Sequence, residues 1–310
     1  MIPAKQEIVL GTGSLGVSNT REEAYRLLDA YIDLGGSILD TAAVYSDWVP
    51  GEARRSETII GEWLKRSGKR PMIVTKGGHP PVANVHSARL DRASVQSDCE
   101  ISLRALGIDR IDLYFLHRDD PARPVADIME TLAGLLREGK IAAIGVSNWT
   151  PARIAEARAT GIAPIASSQP LGNVLANVMD PLEDDTTLII DAAALRDAEA
   201  NDMSLMLFTS QAQGTLTKRA QGLPPKSAPY RTAASLEAAD ELVAIAREIG
   251  VEPTNLGVAF MLQFSPRFLP IVGPASVERL KSSLQAREVK LEASVMDRIA
   301  RITGFDAYRD

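Results

Sequence analysis

Four side chains of the types that transfer or steer protons stand at or just after apolar runs of the sequence. Asp40 ends the run that begins at Ile38, Lys76 ends a second run, His117 ends a third, and Tyr45 follows Asp40 by five residues. A free tyrosine has a pKa near 10, so its phenol donates a proton reluctantly at neutral pH. A lysine ammonium beside it would stabilise the phenolate and lower that pKa, and an aspartate would hold the lysine in place. Such a set suits protonation of a carbonyl oxygen while a hydride reaches the carbon.

Each of these residues also has a purely structural interpretation. Asp40 could cap a turn, Lys76 could reach solvent and Tyr45 could be ordinary core. His117 could likewise be a structural histidine. Their joint occurrence at successive strand ends favours one shared site, in which His117 orients the substrate oxygen, because a lysine buried beside an acid is costly without a purpose.

The elements that would position them alternate along the chain. Short apolar runs, each followed by a helical pattern, predict strands near residues 8, 38, 73, 113, 143, 165, 206 and 271. Eight nearly continuous apolar strands with intervening helices predict a (β/α)₈ TIM barrel, as one domain over residues 1–310. A doubly wound sheet is the alternative, since 11–16 reads G-x-G-x-x-G, but Asn19 and Thr20 separate this stretch from the next helix. The stretch 181–198 also predicts a helix.

The amino-acid composition and net charge exclude several functional classes of protein. The 310 residues are 45% hydrophobic and 24% charged, with a net charge of −6. That balance argues against a nucleic-acid or membrane-surface binder. Cys99 is the single cysteine, so no intramolecular disulfide can form. We find no signal peptide and no apolar run of the roughly 18 residues that a membrane helix needs, and we predict a cytoplasmic protein that uses no metal.

The motifs resemble those of the aldo-keto reductase superfamily over nearly the whole chain. The stretches that carry the resemblance are DTAAVY (40–45), ARRSETIIGEWL (53–64), TK (75–76), LH (116–117), GVSN (145–148), Gln169 and GPASVERL (273–280). The resemblance implies NAD(P)H-dependent reduction of an aldehyde or ketone, or the reverse. It implies that Tyr45 is the acid/base, that Lys76 and Asp40 tune it, and that His117 orients the carbonyl. A histidine at 117, where the double-bond-reducing branch has glutamate, favours carbonyl chemistry.

The resemblance also predicts a cofactor site. The polar groups of Ser147, Asn148 and Gln169 suit the nicotinamide carboxamide, and Phe208 would stack on its ring. Gly273, Ala275 and Ser276 open a helix, where anions bind. The other predicted contacts are Gly11, Thr12, Gly13, Asp40, Thr209, Ser210, Gln211, Gly214, Arg279 and Ser283.

Within that site, Arg279 falls at the family position that binds the 2′-phosphate of NADP, and its planar fork suits a phosphate. NADPH is therefore the predicted cofactor, with NAD possible. The sequence departs from many relatives at Gly273-Pro274, in place of Lys-Ser, and at Ser282-Ser283, in place of Glu-Asn.

Residues near the same face would select the substrate. The candidates are Trp48, His79, Arg118 and Trp149, a polar and aromatic mixture that suits a sugar-like carbonyl. The predicted partner is thus a small carbonyl compound, with neither nucleic acid nor membrane, and the oligomeric state is left open. Two alternatives stand beside the reductase: an NADP-binding regulatory subunit, and an aldolase that forms a Schiff base on Lys76.

Overall fold

The computed structural model describes residues 7–51 and 53–309, and its strands form a closed parallel barrel in chain order. The strands are β1 Val9–Gly11, β2 Ile38–Asp40, β3 Met72–Gly77, β4 Leu113–Leu116, β5 Ile144–Ser147, β6 Ile165–Gln169, β7 Ser204–Leu207 and β8 Phe268–Val272. The predicted (β/α)₈ fold is confirmed. All four residues of β4 are buried, as expected for a parallel strand that is covered on both faces.

The α-helices follow the strands. They are α1 Arg21–Asp33, α2 Arg55–Ser67, α3 Arg92–Leu106, α4 Val125–Arg137, α5 Pro151–Ala159, α6 Ala192–Ala200, α7 Thr215–Ala220, α8 Ala233–Glu248, α9 Pro253–Phe264, α10 Val277–Leu284 and α11 Ala293–Thr303. Helix α1 begins with a capping box, in which Thr20 accepts from the Glu23 amide and Glu23 accepts from the Thr20 amide. Helix α3 carries Cys99, which is buried.

The registers between neighbouring strands place the predicted catalytic residues at one end of the sheet. Asp40, the last residue of β2, is paired with Val74, and Lys76 is paired with Phe115 of β4. The amide of His117, the residue after β4, donates to the Gly77 carbonyl at 2.9 Å. The carboxyl ends of the strands therefore carry these side chains, as they do in barrel enzymes.

The helix predicted over 181–198 is wrong in its first half. Helix α6 begins only at Ala192, with Asp191 as its N-cap. Before it, the side chain of Asp184 accepts hydrogen bonds from the Thr186 amide and from the hydroxyl groups of Thr186 and Thr187. This local bonding offers the backbone an alternative to a helix, and β-branched threonines favour a helix little.

By its internal contacts the chain divides into two compact units. One comprises Val9–Gln169 and Gly273–Leu280, and it carries β1 to β6. The other comprises the N-terminal residues up to Ile8, Pro170–Val272 and the C-terminal residues from Lys281, and it carries β7 and β8. A single domain over 1–310 stays a prediction, and residues 1–6, 52 and 310 of that range lie outside the described residues.

Across the residues that the structure describes, no helix has the length and apolar character that crossing a membrane requires. The cytoplasmic location stays a prediction.

Candidate active site

The ammonium group of Lys76 lies among four oxygen atoms. Its Nζ donates to both carboxylate oxygens of Asp40, at 2.7 and 2.8 Å, and to the backbone carbonyl of Thr41 at 2.8 Å. It also lies 3.2 Å from the Tyr45 hydroxyl, to which it donates. The Lys76 side chain is 0% exposed and that of Asp40 2%. A charge so deeply buried persists because the carboxylate neutralises it and hydrogen bonds satisfy it.

These contacts, together with burial, determine the protonation states of Lys76 and Tyr45. Burial is the largest single effect and lowers the pKa of Lys76, but the charges of Asp40 and Tyr45 and the hydrogen bonds to both together outweigh it, so the net pKa lies above its ordinary value and the amine is charged. Burial raises the pKa of Tyr45, which Lys76 opposes. Lys76 thus acts in the predicted direction, but the net pKa of Tyr45 is raised rather than lowered because burial is the larger effect. Tyr45 is accordingly a neutral phenol at pH 7.

His117 presents a neutral imidazole beside that phenol. Its ring lies edge-on to Tyr45, with 5.9 Å between the ring centroids. Burial, followed by the positive charge of Lys76, lowers the pKa of His117 well below its ordinary value. Its Nδ1 is buried and has no hydrogen-bond partner among residues 7–51 and 53–309. A neutral imidazole can donate from one ring nitrogen to a substrate oxygen.

The four predicted substrate residues differ in exposure and contacts. Trp48 is 51% exposed, and its ring centroid lies 6.4 Å from that of Tyr45. The His79 ring lies edge-on to His117, at 4.6 Å between centroids. Trp149 is buried and donates its indole N–H to the Arg118 carbonyl at 3.4 Å. Trp48 and His79 thus lie next to Tyr45 and His117, whereas Trp149 supports the segment that follows His117.

The three residues predicted to hold the carboxamide form one hydrogen-bonded group. The Ser147 hydroxyl donates to the backbone carbonyl of Gln169 at 2.7 Å, and the side-chain amide of Asn148 donates to the Ser147 hydroxyl at 3.1 Å. Asn148 has φ +61°, a left-handed conformation that asparagine tolerates better than most residues. The Gln169 side-chain amide donates to Asp40 at 2.9 Å. The residues predicted to bind the carboxamide are therefore hydrogen-bonded directly to Asp40, which holds Lys76.

The glycine-rich segment after β1 lies against the same residues. The Thr12 hydroxyl donates to the backbone carbonyl of Asp40 at 2.9 Å. A Cβ placed on Gly13 would lie 3.7 Å from the Tyr45 ring, and one on Gly273 would lie 3.9 Å from the Gly11 carbonyl oxygen. Both distances are ordinary van der Waals contacts, so the Gly13 backbone lies directly beside the Tyr45 ring and the Gly273 backbone beside Gly11.

The segment before α10 has the form of a capped helix start. The Arg279 amide donates to the Ser276 hydroxyl at 3.3 Å, and the Leu280 amide donates to the Ser276 carbonyl. Arg279 is exposed, and within the described part of the chain its guanidinium makes no ion pair or hydrogen bond. Ala275 lies just before this cap. The helix start and a free guanidinium together fit an anionic group.

The remaining predicted cofactor residues belong to the unit that carries β7 and β8. The Ser210 hydroxyl donates to the Ile271 carbonyl at 2.5 Å, and the Gln211 side chain donates to the Ser283 hydroxyl at 3.0 Å. Phe208, Thr209 and Gly214 complete this set. Thr209 has φ +59°, which is rare for a β-branched residue. Such backbone conformations concentrate at functional sites.

Two features of the site were not predicted from the sequence. One is the Thr41 carbonyl, the third oxygen around Lys76. Any residue could supply a backbone carbonyl, so the sequence holds no signal for it. The other is the bond between Gln169 and Asp40, which are 129 positions apart. Gln169 and Asp40 were each predicted as site residues, and only the hydrogen bond between them was not predicted.

A sequence profile of the aldo/keto reductase family matches residues 7–303. The chain belongs to this family. Membership over nearly the whole length confirms the predicted class of enzyme, an NAD(P)H-dependent oxidoreductase.

Curated relatives within this family are distant in sequence but are matched over most of their length. Aldo-keto reductase str7 of Strobilurus tenacellus is 29% identical, over 90% of this chain and 81% of that protein. An aryl-alcohol dehydrogenase [NADP(+)] of Phanerodontia chrysosporium is 26% identical, over 89% of this chain and 74% of that protein. The crystal structure of an aldo/keto reductase from Klebsiella pneumoniae, in complex with NADP and acetate, superposes with a TM-score of 0.70. It is 23% identical and covers 96% of this chain and 90% of its own.

Proposed function

We propose that this family member reduces an aldehyde or ketone to an alcohol, with Tyr45 as the proton donor. The observation that carries the proposal is the placement of Lys76, which contacts Asp40 on one side and the Tyr45 hydroxyl, at 3.2 Å, on the other. The phenol is protonated at neutral pH, since a tyrosine has an ordinary pKa near 10 and burial raises that of Tyr45 further. It can therefore act as a general acid.

The proton moves from the Tyr45 hydroxyl to the carbonyl oxygen of the substrate, which leaves a phenolate. Lys76 stabilises that phenolate, since an ammonium at hydrogen-bond distance favours the charged form. The neutral His117 donates a hydrogen bond to the same carbonyl oxygen and fixes its orientation. NADPH, when bound, supplies the hydride that reaches the carbonyl carbon.

The residues around the site fit the groups of NADPH. Ser147, Asn148 and Gln169 offer an amide and hydroxyl network to the carboxamide, and the α10 start with its exposed Arg279 offers a cation to the 2′-phosphate. Phe208 is proposed to stack on the nicotinamide ring. NADPH is preferred over NADH because only NADPH carries the phosphate that a guanidinium would bind.

For the substrate, an aromatic aldehyde is favoured over the sugar-like carbonyl that the sequence predicts. Trp48 is half exposed next to Tyr45, and His79 adds a second flat ring beside His117. Planar rings stack on one another, so an aryl group would bury apolar area there. The name of the Phanerodontia chrysosporium relative, an aryl-alcohol dehydrogenase, points the same way.

Two other functions are less well supported. A Schiff-base lysine must be neutral to attack a carbonyl, yet Asp40 raises the pKa of Lys76. A regulatory subunit without turnover would not need the paired Asp40, Lys76 and Tyr45. The buried ion pair beside a protonated Tyr45 therefore favours the reductase.

The test is NADPH oxidation with a panel of benzaldehydes, aliphatic aldehydes and sugars. We expect turnover of benzaldehydes to exceed that of sugars at equal concentration. Tyr45→Phe should retain NADPH binding and lose on the order of 10²–10⁴ in rate, the usual contribution of a general acid. Turnover of Tyr45→Phe close to wild type would refute the role of Tyr45. NADPH binding without turnover of any carbonyl would instead favour the regulatory subunit.

A further inference from the structure

Strand β3 is anchored by two buried carboxylates on either side of Lys76. The Thr75 hydroxyl donates to Glu57 of α2 at 2.6 Å, and the Gly78 amide donates to Asp98 of α3 at 2.9 Å. Thr75 directly precedes Lys76, and Gly78 follows it by two positions. The backbone that carries the lysine is thus fixed to both helices that pack behind it.

One arginine joins these carboxylates. Arg54 lies 3.2 Å from Glu57 through Nη1 and 3.3 Å from Asp98 through Nη2, and it also donates to the Ser102 hydroxyl at 3.1 Å. The side chain of Glu57 is 0% exposed and that of Asp98 8%. A planar guanidinium can bind two carboxylates at once, which the point charge of a lysine does less well.

The same arginine is also hydrogen-bonded to the segment that follows Tyr45. Its backbone amide donates to the Asp47 side chain at 2.7 Å, two residues after Tyr45. Arg54 has φ +54°, a left-handed conformation that is unusual outside glycine. Such a conformation costs free energy and persists where surrounding contacts determine it.

The packing leaves little room for the strand to move independently. A Cβ on Gly77 would lie 1.9 Å from the Tyr114 hydroxyl and 2.9 Å from the Asp98 Cβ. The backbone next to Lys76 is therefore in direct contact with one of the two anchoring residues. A shift of Asp98 would be transmitted to the strand, since close-packed interiors pass strain on.

We propose that Arg54 is a positioning residue, which through Glu57 and Asp98 holds Lys76 at hydrogen-bond distance from Tyr45. The inference rests on the proposed function. Among residues 7–51 and 53–309, the hydrogen bonds of Arg54 involve neither the proposed reacting groups nor a predicted cofactor residue. Its influence therefore passes through β3 and through Asp47, which lies two residues after Tyr45.

Two variants, Arg54→Met and Thr75→Val, test the positioning role. Thr75→Val removes the hydrogen bond from Thr75 to Glu57 without changing any charge. We expect Arg54→Met to lower kcat roughly 10- to 100-fold, the scale of a misplacement of about 1 Å at a catalytic group. KM for the carbonyl and Kd for NADPH should change less than about threefold, because the groups that bind them are intact. Arg54→Lys should recover part of the loss, since it keeps the charge.

Arg287→Met is the matched control. Arg287 ion-pairs Glu7 at 3.6 Å, its side chain is 22% exposed against 17% for Arg54, and it lies in the other compact unit. Its substitution should leave kcat unchanged at temperatures where both variants are folded. If Arg54→Met and Thr75→Val match Arg287→Met in kcat, Arg54 is only structural and the proposal is overturned.

A crystal structure separates this inference from the proposed function. In Arg54→Met and Thr75→Val, the distance from Lys76 Nζ to the Tyr45 hydroxyl should exceed the wild-type hydrogen bond. An unchanged distance overturns the proposal, whether or not the wild type reduces any carbonyl. A wild type that turns over no carbonyl, with the distance lengthened in the variants, would overturn the proposed function and leave the positioning role standing.

Discussion

Asp40 accepts hydrogen bonds from two different side chains, the Lys76 ammonium and the Gln169 amide. Among the side chains that the structure describes, this carboxylate thus bonds to Lys76, which contacts the proposed proton donor Tyr45, and to Gln169, which is predicted to bind the carboxamide. One N–H of the Gln169 amide is committed to Asp40, which leaves its second N–H as a donor and its oxygen as an acceptor for a carboxamide. A cofactor bound there would meet an amide whose orientation Asp40 has already fixed.

The pH dependence of reduction follows from two shifted groups. The pKa of Tyr45 is raised by burial, so the proton donor is lost only as pH rises through a value above about 10. The pKa of His117 is lowered by burial, so the neutral imidazole is lost only as pH falls well below about 6.5. We expect kcat/KM for reduction to be flat from about pH 6.5 to 9. A decline centred near pH 6.5 would contradict a neutral His117.

A second prediction at the residue scale concerns Arg279. If its guanidinium binds the 2′-phosphate, Arg279→Ala should weaken NADPH binding roughly 10- to 100-fold, because hydrogen bonds to charged groups contribute about 1.5–3 kcal/mol. NADH, which lacks that phosphate, should bind as before. Fluorescence titration of both cofactors measures this. Lys281→Ala, an exposed cation of the same helix, is the control. Equal losses for both cofactors would make Arg279 an ordinary surface charge.

Among the elements, α2 and α3 approach each other closely at one glycine. A Cβ on Gly61 would lie 2.3 Å from the Ala105 carbonyl oxygen and 2.9 Å from the Leu106 carbonyl carbon. These are backbone atoms, which cannot move aside as a flexible side chain can. The spacing of the two helices that carry Glu57 and Asp98 thus depends on Gly61.

Gly61→Ala should therefore lower the free energy of unfolding by about 1–3 kcal/mol, as overpacking in a core does. Gly134→Ala provides the contrast, because a Cβ on Gly134 of α4 would have nothing within 4 Å. That substitution should stabilise by roughly 0.5–1 kcal/mol, the difference in helix propensity. Urea unfolding of both variants measures the two effects. Stabilisation by Gly61→Ala would mean that the helices can separate at no cost.

At the scale of the whole molecule, much of the site could be predicted because the strands are parallel and close into a barrel. Their carboxyl ends then meet at one face, so Asp40, Lys76 and His117 could be grouped from their order alone. The link from Gln169 to Asp40 could not, since a glutamine amide has several possible partners within reach. The turn at Asp184 was also missed, because its side-chain bonds compete with a helix that the apolar pattern favours.

The buried position of Cys99 has a practical consequence for spectroscopy. Burial raises its pKa to about 12, so hardly any thiolate forms at neutral pH and the chain's one thiol is inert to maleimides and disulfide reagents. Ellman's reagent should detect less than about 0.1 thiol per native chain and one after denaturation. Val82 is 53% exposed in the segment after β3. A cysteine introduced there could carry a single fluorophore while Cys99 stays unlabelled. The emission of the fluorophore would report changes in the surroundings of that segment.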